Sequence, residues 1–370
     1  MGSKKHIIIS VSNDLSFDQR VHKVCTSLHN AGYNILLVGR VRKKSVPLER
    51  AYEIKRFKYI PERGVFFYAV FNIRLFIFLM FKKVDILHAN DLDTLLANWM
   101  TKLFRRKHLV YDTHEYFTGV PEIQNKPLVR KTWTAIEKMI FPKLSYVFTV
   151  NDSIANLYEK EYGVKIKVIR NFPDAIPLLK SKSKIELGLP IDKKIVILQG
   201  GGINIDRGSE ELLEAIALSN ELFLCIVGSG DVIEVLKKRS CEKDLKDKLM
   251  FTGLLPYNEM MQYTMNANVG VSLDKDTNIN HKFSLPNKIF DYVKAGIPVV
   301  VSDLKEVATI VKQYKIGKVI PDHLPNSILN SILEVIENSN SYKIEDAQKK
   351  LIWKNEEPVL LTLYEEVIKK

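Results

Sequence analysis

The chain has 370 residues, of which 46% are hydrophobic and 26% charged. That excludes a disordered or collagen-like chain and is long for one α/β domain but comfortable for two. The net charge of +12 is unevenly placed: residues 1–175 carry 29 Lys+Arg against 16 Asp+Glu, and the remainder carries 26 against 27. A basic N-terminal half can draw nucleic acid, a membrane face or an anionic substrate, and the absence of zinc-finger, RRM-like and helix-turn-helix signatures disfavours nucleic acid.

Met1-Gly2-Ser3-Lys4-Lys5 runs straight into Ile7-Ile8-Ile9, so no signal peptide is expected, and His6 stands where a myristoylation motif wants Ser or Thr. Ile7 to Val11 reads as a strand. In Asp18 to Ala31 the residues Val21, Val24, Cys25 and Leu28 recur at i, i+3, i+4 and i+7, the mark of a helix burying one face. With Asn34 to Val38 as a second strand, this is a βαβ unit. The run Val65 to Phe81 is the most membrane-like stretch, but Asn72 and Arg74 interrupt it and it falls short of the roughly 20 apolar residues of a span. It is expected to be a core helix, or else an aromatic surface flanked by Arg and Lys that sits in a membrane interface.

Further strands are expected at Ile86 to Ala89, Leu109 to Tyr111, Tyr146 to Val150 and Val168 to Ile169, which makes a parallel, doubly wound sheet. Asp91-Leu92-Asp93 mimics a DxD metal motif, but a helix begins here and explains Asp91 or Asp93 as a cap. The pattern restarts after Asn171-Phe172-Pro173-Asp174 and the polar segment Lys180 to Lys184, where a domain boundary is placed. Ile195 to Gln199, Phe223 to Val227, Met250 to Phe251, Val269 to Ser272 and Val299 to Val301 then read as buried strands of a second doubly wound domain. The last helix, Pro358 to Lys370, is expected to return to the first domain, giving 1–173 plus 355–370 and 174–354. Cys25, Cys225 and Cys241 are odd in number and form no CxxC pair, which suggests a reducing cytoplasm without structural zinc.

Three stretches carry chemistry. Gly200-Gly201-Gly202 follows a strand, and Asp206-Arg207-Gly208 leads into a helix from Glu210 to Ala217. Such a loop lets backbone N–H groups and a helix start approach a pyrophosphate, with Arg207 as a fixed charge; a plain tight turn is the alternative. Gly228-Ser229-Gly230 also follows a strand, but Ile233 fills the third glycine position of a dinucleotide fingerprint, so an NAD site is disfavoured. In Phe283-Ser284-Leu285-Pro286-Asn287-Lys288-Ile289-Phe290-Asp291-Tyr292 a short helix begins near Lys288, with Asp291 on the same side. An anion could dock on the helix start and Lys288 while Asp291 accepts from sugar hydroxyls, or the polar residues could be ordinary caps.

The order of these motifs, closed by Ala295-Gly296-Ile297-Pro298, resembles the retaining glycosyltransferase family 4. In the N-terminal half, Asp18-Gln19-Arg20-Val21, His88-Ala89-Asn90-Asp91, Tyr111-Asp112-Thr113-His114-Glu115 and Asn171-Phe172-Pro173 are similar to a branch of that family. The resemblance implies the GT-B architecture, two Rossmann-like domains facing each other across a cleft, with a donor domain following an acceptor-side domain. It implies that Arg207 and Lys288 hold the donor diphosphate, that Asp291 holds the ribose, and that Gly201, Gly202, Gly228 and Gly230 belong to the donor site. Leu254 would meet the nucleobase, Phe283, Ser284, Leu285, Pro286 and Asn287 would present backbone amides, and His114 would reach the transferred sugar or the acceptor hydroxyl. Asp14, Asp91 and Glu115 are the acceptor-side positions.

The family's two glutamates eight residues apart fall on Phe283 and Asp291, and Gly201 replaces a positive residue. The expected activity is hexosyl transfer with retention from a UDP- or GDP-sugar to a glycan or lipid-linked acceptor in surface polysaccharide assembly. Neither cofactor nor metal ion is expected. The protein is expected in the cytoplasm, peripheral on an anionic membrane face. A sugar-nucleotide 2-epimerase and a silent nucleotide-sugar-binding protein are the readings from other classes.

Overall fold

The computed structural model describes residues 4–16, 18–42, 45, 47–175 and 181–369. Met1, Gly2 and Ser3, together with Lys180 of the boundary segment and Lys370 of the last helix, lie outside the described residues. The chain divides into two compact units, Met1–Asn171 with Glu356–Lys370 and Phe172–Asn355.

In the first unit the strands are β1 (His6–Asp14), β2 (Asn34–Arg40), β3 (Glu53–Phe57), β4 (Ile86–Asn90), β5 (His108–Thr113), β6 (Tyr146–Thr149) and β7 (Ile166–Val168). They form one sheet in the order β3-β2-β1-β4-β5-β6-β7, and every pairing is parallel. The helix Gln19–Asn30 connects β1 to β2. Asp18 caps it by accepting from the Val21 N–H, and the expected stripe of Val21, Val24, Cys25 and Leu28 is buried.

The helix Gly64–Phe81 is packed on one side only. Phe67, Phe71, Leu75 and Leu79, spaced four apart, are at most 2% exposed, and the core-helix expectation holds for that face alone. By length and composition the helix could cross a membrane, but these four side chains belong to the core of the unit. Arg74, a charge in an apolar helix, stacks its guanidinium 4.2 Å from the Phe57 ring centroid and donates to the Lys58 carbonyl.

In the second unit β8 (Lys194–Gly200), β9 (Leu222–Gly228), β10 (Leu249–Gly253), β11 (Val269–Ser272), β12 (Val299–Val301) and β13 (Gly317–Val319) form a second parallel sheet, ordered β10-β9-β8-β11-β12-β13. Alternate residues of β8 feed separate cores. Ile195 and Ile197 pack with Phe290 and Val293, whereas Val196 and Leu198 pack with Leu212 and Ile216. Burial on both faces is why these strands read as continuous apolar runs.

Some expectations need correction. β3 and β13 lie at sheet edges and were not foreseen, and β7 begins at Ile166, two residues before the expected Val168. The last helix starts at Trp353 and carries Pro358 in its interior; its Tyr364 is buried in the first unit and shares a 2.6 Å hydrogen bond with His88 Nδ1. Burial lowers the His88 pKa to about 4, so this imidazole is a neutral core group.

Candidate active site

In each unit the strand order reverses beside its first strand, between β1 and β4 and between β8 and β11. Open α/β sheets bind ligands beyond the strand ends at such points, and both clusters of polar side chains lie there.

In the first unit β1, β4 and β5 deliver Ser12, Asp91, Asp93, Asp112 and His114. Arg20, 4% exposed, grips fully buried Asp112 with two parallel hydrogen bonds of 2.9 Å and donates to the Ile169 carbonyl at 2.8 Å. Burial pushes the Asp112 carboxyl upward, but Arg20 and then His114 outweigh it and hold the group well below its ordinary range. The His114 ring lies between two carboxylates, with Nδ1 3.1 Å from Asp91 Oδ2 and Nε2 3.1 Å from Asp112 Oδ2. With both nitrogens donating the ring is an imidazolium. Burial disfavours that charge, but Asp91 and Asp112 raise the pKa well above its ordinary value.

The cap explanation of Asp91-Leu92-Asp93 is corrected. Asp91 occupies the N-cap position of the helix Leu92–Arg105, with φ 58°, but its side chain makes no cap bond. It accepts instead from the His114 backbone N–H at 2.9 Å and from the ring. Asp93 turns inward and accepts from Ser12 Oγ; burial and the neighbouring Asp91 charge push its pKa up to about 7. Asp14 ends β1 and is half-buried. Burial raises its carboxyl, yet bonds donated by Ser45 Oγ and the Ser16 N–H bring the net shift below the ordinary value. Glu115 is exposed, and its carbonyl accepts from Thr113 Oγ1.

Behind this loop sits an acid the sequence did not single out. Glu137 is fully buried and accepts from Tyr162 Oη at 2.8 Å and from Tyr158 and Thr118 at longer range. Burial raises its pKa to about 7. Tyr158 also accepts from the Phe117 N–H, so Glu137 anchors the segment that carries His114.

In the second unit the two glycine loops interlock. Gly228 has φ +145°, and a Cβ there would lie 1.8 Å from the Gly200 carbonyl oxygen; one on Gly230 would lie 1.9 Å from the Ile203 carbonyl oxygen. The Ser229 N–H donates to Gly200 and the Ile203 N–H donates to Ser229. Gly228 and Gly230 are therefore required by loop-on-loop packing. Gly201 and Gly202 are exposed, with open space or only the far end of Asn204 where a side chain would project, so these two leave the backbone accessible.

Arg207 donates through Nη1 to Asp274, whose side chain is 1% exposed beyond the end of β11. Lys288 is half-buried, and burial lowers its pKa while the Asp274 charge opposes that shift and Arg207 adds to it. Arg207 is thus paired with a buried carboxylate whose charge Lys288 also feels. Arg207 Nε, Asp274 Oδ1 and Ser284 Oγ are buried without a partner among the described residues. The helices Ser209–Ala217 and Asn287–Ala295 start at Gly208 and Pro286 without a side-chain cap, leaving N–H dipoles for an anion.

Asp291, one turn on from Lys288, is held by Tyr257 Oη at 3.0 Å and Gln199 Nε2 at 3.1 Å. Leu285 packs on the core, Phe283 is half-buried, Asn287 is exposed, and Leu254 is 64% exposed just after β10. Asp274, Gln199 and Tyr257 were not foreseen. Asp274 sits in Asp274-Lys275-Asp276, which has the look of a solvated turn.

The model of the family described as Glycosyl transferases group 1 matches residues 181–351, and that of Glycosyltransferase Family 4 matches residues 18–175. A 2-deoxystreptamine glucosyltransferase of Streptomyces kanamyceticus is 28% identical over 159 residues, covering 40% of this chain and 40% of that enzyme. Sucrose-phosphate synthase from Thermosynechococcus elongatus superposes with TM-score 0.80 at 17% identity, covering 99% of this chain and 100% of the other. Anabaena HepE in complex with UDP and glucose gives 0.71 at 14% identity, covering 99% and 98%. With two parallel α/β units and both family matches, the chain belongs to the family 4, group 1 glycosyltransferases and has the GT-B fold.

Proposed function

We propose that the protein transfers a hexose from a nucleoside diphosphate sugar to a glycan or lipid-linked acceptor with retention at the anomeric carbon, at the cytoplasmic face of a membrane during surface polysaccharide assembly. The observation that carries the donor half is Arg207 paired with buried Asp274, with Lys288 within electrostatic reach of the same carboxylate, beside two uncapped helix starts. That arrangement fits two negative phosphates. UDP is the first donor nucleotide to test, because the structural neighbour HepE is described with UDP and glucose.

In the reaction the bond between anomeric carbon and diphosphate oxygen breaks, the acceptor oxygen bonds to that carbon, and its proton passes to the departing phosphate. Arg207, Lys288 and the two helix starts stabilise the charge that develops on the diphosphate. No metal ion is required for that role in this proposal. Asp291 lies one turn from Lys288 and is the acceptor for ribose hydroxyls. With both nitrogens held by carboxylates, His114 presents a fixed positive centre on the acceptor-side unit and has no free lone pair to serve as a base.

The test is thermal shift and donor hydrolysis across UDP-, GDP-, ADP- and CMP-sugars, with Arg207→Ala and Lys288→Ala as controls. One nucleotide class should stabilise the wild type and be slowly hydrolysed, with both effects lost in the variants. Stabilisation without turnover in the presence of acceptor extracts would favour the silent binding protein, which Phe283 in place of an acid otherwise motivates.

A further inference from the structure

Among the described residues the outward side of the helix Gly64–Phe81 has no partner in the first unit. Phe66 is 77% exposed, Val70 42%, Ile73 61%, Ile77 53% and Phe81 86%. Their spacing of four, three, four and four puts them on one face, opposite the buried Phe67, Phe71, Leu75 and Leu79. From Phe66 to Phe81 the stripe runs about 23 Å at the helical rise of 1.5 Å per residue. It does not end with that helix. Phe76 meets Phe104 of the helix Leu92–Arg105 at a centroid distance of 5.9 Å, and Leu103 and Phe104 are themselves 58% and 69% exposed. Arg105 Nη1 donates to the carbonyls of Leu79 and Lys82, at 2.6 Å each, and fastens the two helix ends together. Two helices thus present one continuous apolar patch.

The charges around it are predominantly positive. Residues 63–83, 92–107 and 126–143 hold thirteen Lys and Arg and two acids, Asp93 and Glu137. Both acids are buried, at 7% and 0% exposure. Lys82, Lys83 and Arg106 are exposed at the end of the apolar stripe. A second copy docking through this face would bring cations against cations. A surface of fixed negative charge above an apolar interior satisfies both the stripe and its border.

We infer that the outer face of the helix Gly64–Phe81, with Leu103 and Phe104, is the surface by which the protein lies in the headgroup region of an anionic lipid bilayer. Phe66, Ile73, Ile77 and Phe81 enter the acyl boundary, and Lys82, Lys83 and Arg106 meet lipid phosphates. This sharpens the membrane part of the proposed function but stands on its own observation, since neither donor binding nor transfer enters it.

The test is co-sedimentation of the full chain with vesicles of phosphatidylcholine alone and of phosphatidylcholine containing phosphatidylglycerol, at low and high salt. The wild type should pellet with the anionic vesicles, and high salt should weaken binding without abolishing the apolar part. Ile73→Asp/Ile77→Asp should remain in the supernatant. Lys82→Gln/Lys83→Gln/Arg106→Gln should lose about fivefold in partitioning per cation, on the order of a hundredfold together. Thermal unfolding and UDP-sugar binding by each variant report on the fold and on the donor site separately, and the second, exposed set keeps the test alive if the first fails to fold. Wild type that ignores anionic vesicles at low salt overturns the inference. So does equal binding to both vesicle types that the charge variant leaves unchanged, or a dimer in solution that Ile73→Asp/Ile77→Asp dissociates.

Discussion

Arg20 and Asp112, 92 positions apart, are joined by two parallel hydrogen bonds of 2.9 Å inside the first unit. The bond ties the first helix to the end of β5, and through Asp112 it continues to His114 and Asp91. Charge alternates along the chain Arg20, Asp112, His114, Asp91, so the removal of any one leaves a neighbour with one counter-charge fewer.

The first prediction follows from that. Arg20→Met and Asp112→Asn should each destabilise the protein by about 3–5 kcal/mol, the cost of breaking a buried pair from one side. The double variant should cost clearly less than the sum, because it leaves no uncompensated charge. Urea unfolding of the four proteins measures this; strict additivity would mean that the pair is not coupled.

The histidine gives a pH signature. The folded pKa of His114 is raised above its ordinary 6.5, so its contribution is fully present below about pH 6.5 and is lost as pH rises through the folded value. Asp112 is shifted down, and its contribution is present above its ordinary 3.8 and fades as pH falls below that. The stability gap between wild type and His114→Gln should therefore shrink on the alkaline side. A gap that grew with pH would show that the ring is neutral in the fold.

Glu137 carries the same sign as His114 and the opposite sign to Asp112. Burial raises its pKa from 4.5 to about 7, so the folded state holds a proton that the unfolded chain gives up, and stability falls as pH rises from about 4.5 to 7. Glu137→Gln removes this loss. Relative to the variant, the wild type should lose up to roughly 3 kcal/mol across that window and nothing further above it. Thermal melts of both proteins across the range decide the matter.

The parts of the fold that were legible in the sequence are those where burial imposes a pattern. Ile7 to Ile9, Ile195 to Leu198 and Val299 to Val301 are buried on both faces of parallel sheets, and their composition says so. The two strands not foreseen are edges: β3 is Glu-Ile-Lys-Arg-Phe, with three charges, and β13 has only three residues. An edge strand has one neighbour and needs no apolar run. In the site, Arg207, Lys288 and Asp291 stood out by type and order, whereas their supports did not. Asp274 is 67 positions from Arg207, and no local spacing reveals such a pairing. Gly228 and Gly230 looked like a weak dinucleotide fingerprint; the structure explains them by their approach to the Gly200 to Ile203 backbone.

Those contacts separate two kinds of glycine. Gly230→Ala would push a Cβ into a carbonyl oxygen at 1.9 Å, and backbone cannot swing away as a flexible side chain does. The loops must part, with an expected loss of about 1–3 kcal/mol in stability, the usual cost of overpacking, and loss of donor binding with it. Gly202→Ala meets only the Asn204 side chain at 3.9 Å and should leave the fold unchanged. If it nevertheless weakens donor binding in a calorimetric titration, Gly202 is required for the ligand's approach; unchanged binding would remove it from the donor site.

Asp274 offers the sharpest test of how the donor charges are held. Its carboxylate fixes Arg207 and adds a counter-charge that Lys288 feels, which orients Arg207 but also opposes an incoming diphosphate. Asp274→Asn removes the opposition and the orientation together. Ground-state attraction for the donor should rise, while charge stabilisation at the departing phosphate should fall because Arg207 is no longer fixed. The variant should therefore show a lower KM for the donor and a kcat reduced by about tenfold or more. Arg207→Ala loses the charge itself and should cost on the order of 10² to 10³ in kcat. A mutation that removes uniform binding raises KM with kcat unchanged. If Asp274→Asn did that, Asp274 would be a contact to the donor instead of the group that positions Arg207.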